Sequence, residues 1–271
     1  MKRITLLKIF TPAVLLTLIL SFSACDKNDN VLLFSVQNDI ELGAQVSQEI
    51  ANDPQYNIMS RTGNEEAYAY LEDMVDEILE SGQVAYKDEF AWEVTLIKDD
   101  ETLNAFATPG GYIYVYTGLI KYLESADALE GVLGHEIAHA DLRHTSRNLQ
   151  KSQTVQVLLS ILLGNNPSAL EEVAGQVAGT VAGLSFSRDY ESEADAKSVV
   201  YLAETQYACN GAAYFFEKLL EEGQAGGTPE FLSTHPSPDS RVEDINAQAT
   251  SEGCDTGLAA NTDYNTFKNS L

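Results

Sequence analysis

The chain has 271 residues, 44% hydrophobic and 21% charged, with 16 Lys+Arg against 41 Asp+Glu for a formal net charge of −25. That length suffices for one large domain or two small ones with a buried core. The charge chiefly confers solubility; it repels phosphate backbones and anionic headgroups, which argues against nucleic acid as a partner.

Residues 1–24 carry Lys2, Arg3 and Lys8 and no acid, and their apolar run over 13–20 is followed by Ser21-Phe22-Ser23-Ala24-Cys25. The run is shorter than the roughly 20 apolar residues of a spanning helix. The pattern resembles a bacterial lipoprotein signal in which Cys25 is lipidated and becomes the first mature residue; Phe22 stands where Leu is more usual. Residues 25–30 follow as a short polar tether, and 31–250 read as the folded domain.

Residues 39–52 and 65–81 show the apolar spacing of amphipathic helices, joined by a polar stretch with Pro54 and Gly63. Residues 91–97 alternate in strand fashion, as do 112–116 after Pro109-Gly110-Gly111. One helix is expected over 126–149. The apolar stretch 155–163 ends at Gly164-Asn165-Asn166-Pro167. In residues 171–185, Gly175, Gly179 and Gly183 leave one helix face nearly bare, a stripe suited to close helix packing but too short for a span. A carboxylate-rich helix start at 187–195, a helix over 210–222 and a loop with Gly226-Gly227-Thr228 lead to His235. Residues 251–271 are polar without clear period, as in a loosely ordered tail.

The segment His135-Glu136-Ile137-Ala138-His139 carries the chemistry. Residues four apart lie within about 40° on a helix, so both imidazoles reach one metal from one face. Glu136 then leans over the attacking water as general base, the pattern of zinc proteases. Catalytic zinc takes three protein ligands and keeps a fourth position open. The carboxylates of Ser187-Arg188-Asp189-Tyr190-Glu191-Ser192-Glu193-Ala194-Asp195 are the candidates for the third. Glu191 and Asp195 share a face, so one can ligate while the other hydrogen-bonds a ligand histidine; helix geometry alone leaves Glu193 open as well. The plainer alternative is a solvated acidic first turn. His144, nine positions after His135, falls about 180° away on a continuous helix, which makes it a structural or surface residue unless the helix breaks. Setting Cys25 aside, Cys209 and Cys254 form an even pair for which an oxidising compartment implies a disulfide.

Four stretches in order resemble the gluzincin family of HtpX-like and prenyl-protein (CAAX) endopeptidase-like metallopeptidases, in a soluble bacterial lipoprotein form. They are Asn104-Ala105-Phe106-Ala107-Thr108-Pro109-Gly110-Gly111, His135 to His139, Glu191 to Asp195, and His235-Pro236 with Arg241. The resemblance implies an α+β, mostly helical, zincin-like domain with a small sheet beside the HExxH helix. It implies one Zn2+ on His135, His139 and Glu191, Glu136 as base, and Asp195 in support. His235 would face the metal, either stabilising the transition state or filling zinc's fourth position. Arg241 would be a polar partner near the site, against the plainer pairing with Asp239 or Glu243. Residues 104–116 would offer an edge strand to an extended peptide, or form an ordinary core hairpin. The activity implied is zinc-dependent endopeptidase action in the bacterial cell envelope, on misfolded or unassembled envelope proteins, with the membrane engaged through the lipid anchor only. The alternative is a latent metallopeptidase acting as a chaperone-like or assembly-assisting binding protein. Integral-membrane relatives carry several spanning helices, so prenylated substrates are not implied.

Overall fold

The computed structural model describes residues 32–162, 164, 167–180, 185–222, 230–235, 240–259 and 263–271. The expected signal, Cys25, the tether, Gly183 and the Gly226-Gly227-Thr228 loop lie outside the described residues. Among the described residues two helices come first, α1 (Val36–Asn52) and α2 (Glu65–Glu80). Next come the strands β1 (Glu93–Ile97), β2 (Ala105–Thr108) and β3 (Tyr112–Tyr116). Then follow α3 (Thr117–Tyr122), α4 (Ala126–Asp141), α5 (His144–Ser152), α6 (Val155–Leu162) and α7 (Pro167–Thr180). The chain continues with α8 (Arg188–Leu202), α9 (Gly211–Glu222), α10 (Glu230–Thr234), α11 (Arg241–Glu252) and α12 (Tyr264–Asn269). This is a mostly helical α+β domain, and no helix among the described residues is long and apolar enough to cross a membrane.

The three strands lie in the order β1-β3-β2, with β3 parallel to β1 and antiparallel to β2. Alternation along the strands sorts side chains onto two cores. Ala105, Ala107, Ile113 and Val115 join α2, α4, α8 and α9 in the larger one. Phe106, Tyr114 and Tyr116 face α1 and α7 in the smaller, where Phe106 stacks on Tyr114 at 4.7 Å. The β2–β3 turn runs through Gly110 and Gly111, both at positive φ, a conformation glycine adopts without strain. Of the expected edge over 104–116, only β2 is an edge; β3 is the central strand. Asn104 and Tyr116 are joined by a backbone hydrogen bond, so alternation turns the backbone groups of Ala105 and Ala107 away from β3.

Three expectations change. The helix expected over 126–149 is two helices, because Arg143 adopts a left-handed conformation with φ 57°. The tail expected to be loose continues α11 to Glu252, bonds Cys254 to Cys209 in a disulfide, and ends in α12. There Tyr264 and Phe267 are buried, and the Tyr264 hydroxyl donates to the Ile120 carbonyl. Finally, Gly175 and Gly179 lie on an exposed face of α7, where an added Cβ would meet nothing within 4 Å; they do not serve close packing among the described residues.

Candidate metal centre

The site is built where α4 and α8 lie flush. Ser125 caps α4 by accepting from the Ala128 amide, and Ser187 caps α8 by accepting from that of Tyr190. A Cβ on Gly134 would come within 2.7 Å of both Ser198 Oγ and Leu202 Cδ1, and Ser198 donates to the Gly131 carbonyl. That closeness lets short carboxylates on α8 reach the imidazoles of α4.

His135, His139, Glu191 and His235 are all buried, and one ligand atom from each gathers within 4.8 Å of the others. His135 Nε2 lies 3.0 Å from His139 Nε2 and 3.3 Å from His235 Nδ1. Glu191 Oε1 lies 3.2 Å from His235 Nδ1 and 3.5 Å from His139 Nε2, while its Oε2 lies 3.4 Å from His135 Nε2. Donors about 2.0–2.1 Å from a tetrahedral zinc stand about 3.3 Å apart, so the spacing and the N3O donor set both fit a zinc-sized cation. His235 turns its other nitrogen, Nε2, to within 3.4 Å of Glu136 Oε1. Both Glu136 oxygens are buried without a hydrogen-bond partner of normal geometry among the described residues.

Each candidate ligand is held from behind. His135 Nδ1 faces Asp195 Oδ1 at 2.8 Å, and Arg241 binds both Asp195 oxygens, at 2.7 and 2.5 Å. Arg241 also pairs with Glu191 Oε2 at 3.1 Å and lies over the Phe216 ring. Among the described residues its acidic partners are thus the site carboxylates, Asp195 and Glu191; Asp239 lies outside them. His139 is stacked by Phe186 at 4.1 Å, and its Nδ1 faces His144 Nδ1 at 2.9 Å. His235 stacks on Phe231 at 4.4 Å, and Phe231 is tied by its amide to the Leu103 carbonyl beside β2.

Electrostatics separate the two glutamates. Burial pushes the Glu136 carboxyl up, against the opposing pull of His235 and His135. Burial also acts on Glu191, but His235 and His135 outweigh it and hold the carboxyl well below the usual range. Burial, followed by the neighbouring imidazoles, drives His139 well below its ordinary value, which keeps it neutral as a ligand must be. For His135 burial is outweighed by hydrogen bonds to Asp195 and Glu191, and the ring is pulled up to about 9. A centre with these two carboxylates draws positive charge.

The structure brings together His135, Glu136, His139, Glu191, Asp195, His235 and Arg241, and sets Glu193 apart from the donor cluster. Glu193 instead accepts from Arg147 at 2.9 Å and meets His144 Nε2 at 3.0 Å. His144 is neither on the surface nor opposite the ligands, because the break at Arg143 turns α5 back towards His139. Arg143 is held by Asp39 at 2.5 Å and by the carbonyls of Phe34 and Ser35. No signal local to residues 140–146 announces that partner, which lies about a hundred positions upstream. Nothing local marks Phe186 and Phe231 either: an aromatic beside a polar loop carries no sign of what it stacks on.

A profile of peptidase family M48 matches residues 65–249. The beta-barrel assembly-enhancing protease of Escherichia coli (strain K12) is 35% identical over 164 residues, covering 57% of this chain and 34% of that protein. The mitochondrial metalloendopeptidase OMA1 of Schizosaccharomyces pombe is 28% identical over 219 residues, 77% of this chain and 62% of its own. OMA1 of Arabidopsis thaliana is 34% identical over 149 residues, 54% of this chain and 29% of its own. The chain spans about a third of the length of the bacterial relative.

Proposed function

This chain belongs to peptidase family M48, and on that premise we propose that it is a zinc-dependent endopeptidase in which His135, His139 and Glu191 hold the metal and Glu136 is the general base. The observation that carries this reading is the convergence of four buried donors, one ligand atom of each within 4.8 Å of the others, beside a buried carboxylate that has no hydrogen-bond partner of normal geometry among the described residues. When bound, zinc supplies Lewis acidity to the scissile carbonyl and to the attacking water. Glu136 takes the proton of that water and returns it to the leaving amine, a task suited to a carboxyl whose affinity for protons burial has raised. Asp195 fixes His135 through Nδ1, and Arg241 fixes Asp195 and Glu191. An extended substrate adds along β2, whose Ala107 amide points towards Glu136; main-chain pairing of this kind makes little demand on sequence.

His235 restrains the site. Its ring lies between the donor cluster and Glu136, where the attacking water belongs, so it must withdraw before substrate is cut. This arrangement favours a second reading, a largely latent metallopeptidase that assists assembly by binding. We place either activity in the bacterial envelope, with Cys25 as lipid anchor. The expected substrates are misfolded or unassembled envelope proteins, a reading supported by the lipoprotein-like segment before Asp26 and by a relative named for beta-barrel assembly. The test is cleavage of an unfolded polypeptide by the full chain and by His235→Ala. Cleavage should stop with chelator and return with zinc, and be retained or raised in His235→Ala. If His235→Ala keeps its zinc and loses activity, the residue serves the transition state and there is no gate. If neither protein cleaves in a zinc-dependent way, the endopeptidase reading fails and the binding reading stands.

A further inference from the structure

We infer that His144, backed by Glu193, is a positioning residue for His139: it fixes which nitrogen of His139 carries the proton and which way the ring faces. The inference rests on the reading of His139 as a metal ligand. To ligate through Nε2, His139 must keep a lone pair there and carry its proton on Nδ1. That N–H points at His144 Nδ1, 2.9 Å away, which must accept. The proton of His144 then sits on Nε2, which donates to Glu193 Oε2 at 3.0 Å. In the opposite arrangement His144 Nδ1 donates, His139 turns an N–H into the donor cluster, and the bare Nε2 of His144 faces a carboxylate. Two acceptors at 3.0 Å repel, so the charge on Glu193 selects the first arrangement.

The geometry is built for this. The left-handed turn at Arg143 carries His144 to His139, and a buried ion pair with Asp39 holds that turn. The His144 ring is fully buried and lies flat on Tyr190, with centroids 4.4 Å apart and planes 9° from parallel. Arg147 holds Glu193 on the same oxygen that faces His144. His135 has its carboxylate directly, in Asp195; His139 has one through an intervening imidazole. Partners behind a ligand are worth roughly 10–100-fold in metal affinity.

Two substitutions separate positioning from packing. His144→Phe keeps a flat ring against Tyr190 but removes the acceptor; His144→Asn gives up the ring but keeps an oxygen close to the place of Nδ1. Zinc affinity of the full chain, measured by competition with a chromogenic chelator, should fall roughly 10–100-fold in His144→Phe and only a few-fold in His144→Asn. Two-bond 15N–1H correlation spectra of the zinc-loaded wild type should show His144 protonated at Nε2. If His144→Asn loses at least as much affinity as His144→Phe, the ring's packing is what matters and the inference is overturned. It is likewise overturned by a zinc-loaded His144 protonated at Nδ1, or by His144→Phe binding zinc like the wild type while His139→Ala does not. If His139→Ala binds zinc as well as the wild type, the metal-centre reading fails and takes the relay with it.

Discussion

A glutamate's surroundings decide its work, and three buried glutamates here diverge. Glu191 is held ionised by imidazoles, whereas Glu136 is pushed towards protonation. Glu191→Ala should therefore empty the site of zinc, while Glu193→Ala, one layer further out, should weaken binding without abolishing it. Metal analysis giving the reverse order would make Glu193 the ligand. Helix geometry leaves both open; in the structure His135, His139 and His235 surround Glu191, while His144 and Arg147 take Glu193. Glu130 is the third case, fully buried on α4 with neither oxygen hydrogen-bonded among the described residues. Burial, then the charges of Glu77 and Asp127, pushes its carboxyl well above the usual range. The folded state thus binds the proton more tightly than the unfolded one, and stability falls as pH rises from about 4.3, the unfolded value, through the raised folded value. Glu130→Gln should raise the melting temperature near pH 8, and by clearly less near pH 5. An equal change at both would show that the carboxyl carries no such cost.

At the scale of elements, glycines divide into those that let helices touch and those that do not. A Cβ on Gly131 would fall 1.9 Å from the Ala212 amide nitrogen, so α4 and α9 would have to part. Gly131→Ala should destabilise by about 3 kcal/mol or more. Gly175 and Gly179 meet nothing, and alanine there should stabilise by about 1 kcal/mol each, the helix-propensity gain. Thermal or denaturant unfolding checks both signs; destabilisation by Gly179→Ala would mean that the stripe packs after all. From the sequence these glycines look alike, because spacing reveals a bare face but not what lies against it. Strand and helix positions were legible for the opposite reason. The alternation of 112–116 and the stripe of Leu42, Val46 and Ile50 on α1 are local signals, and burial follows them. The break at Arg143 was not legible, since its cause is a buried pairing with Asp39 and with carbonyls at Phe34 and Ser35.

Across the whole molecule the site is a meeting of distant segments. His135 and Glu136 come from α4, Glu191 and Asp195 from α8, His235 from the position directly after α10 and Arg241 from the start of α11. The HExxH spacing makes the first half of the cluster readable from five residues; the second half depended on family resemblance, because one acidic helix start looks like another. The Cys209–Cys254 disulfide joins the start of α9 to the end of α11 across 45 residues, bracing the elements that carry Arg241 against the rest. Zinc content measured together with turnover in Glu136→Gln tests the proposed base and ligand set most sharply. One zinc per chain is expected in both the wild type and the variant, with peptide cleavage abolished in the variant alone, since the base is gone and the ligands remain. A zinc-loaded variant that cleaves at near the wild-type rate, or one that folds but purifies without metal, would contradict it.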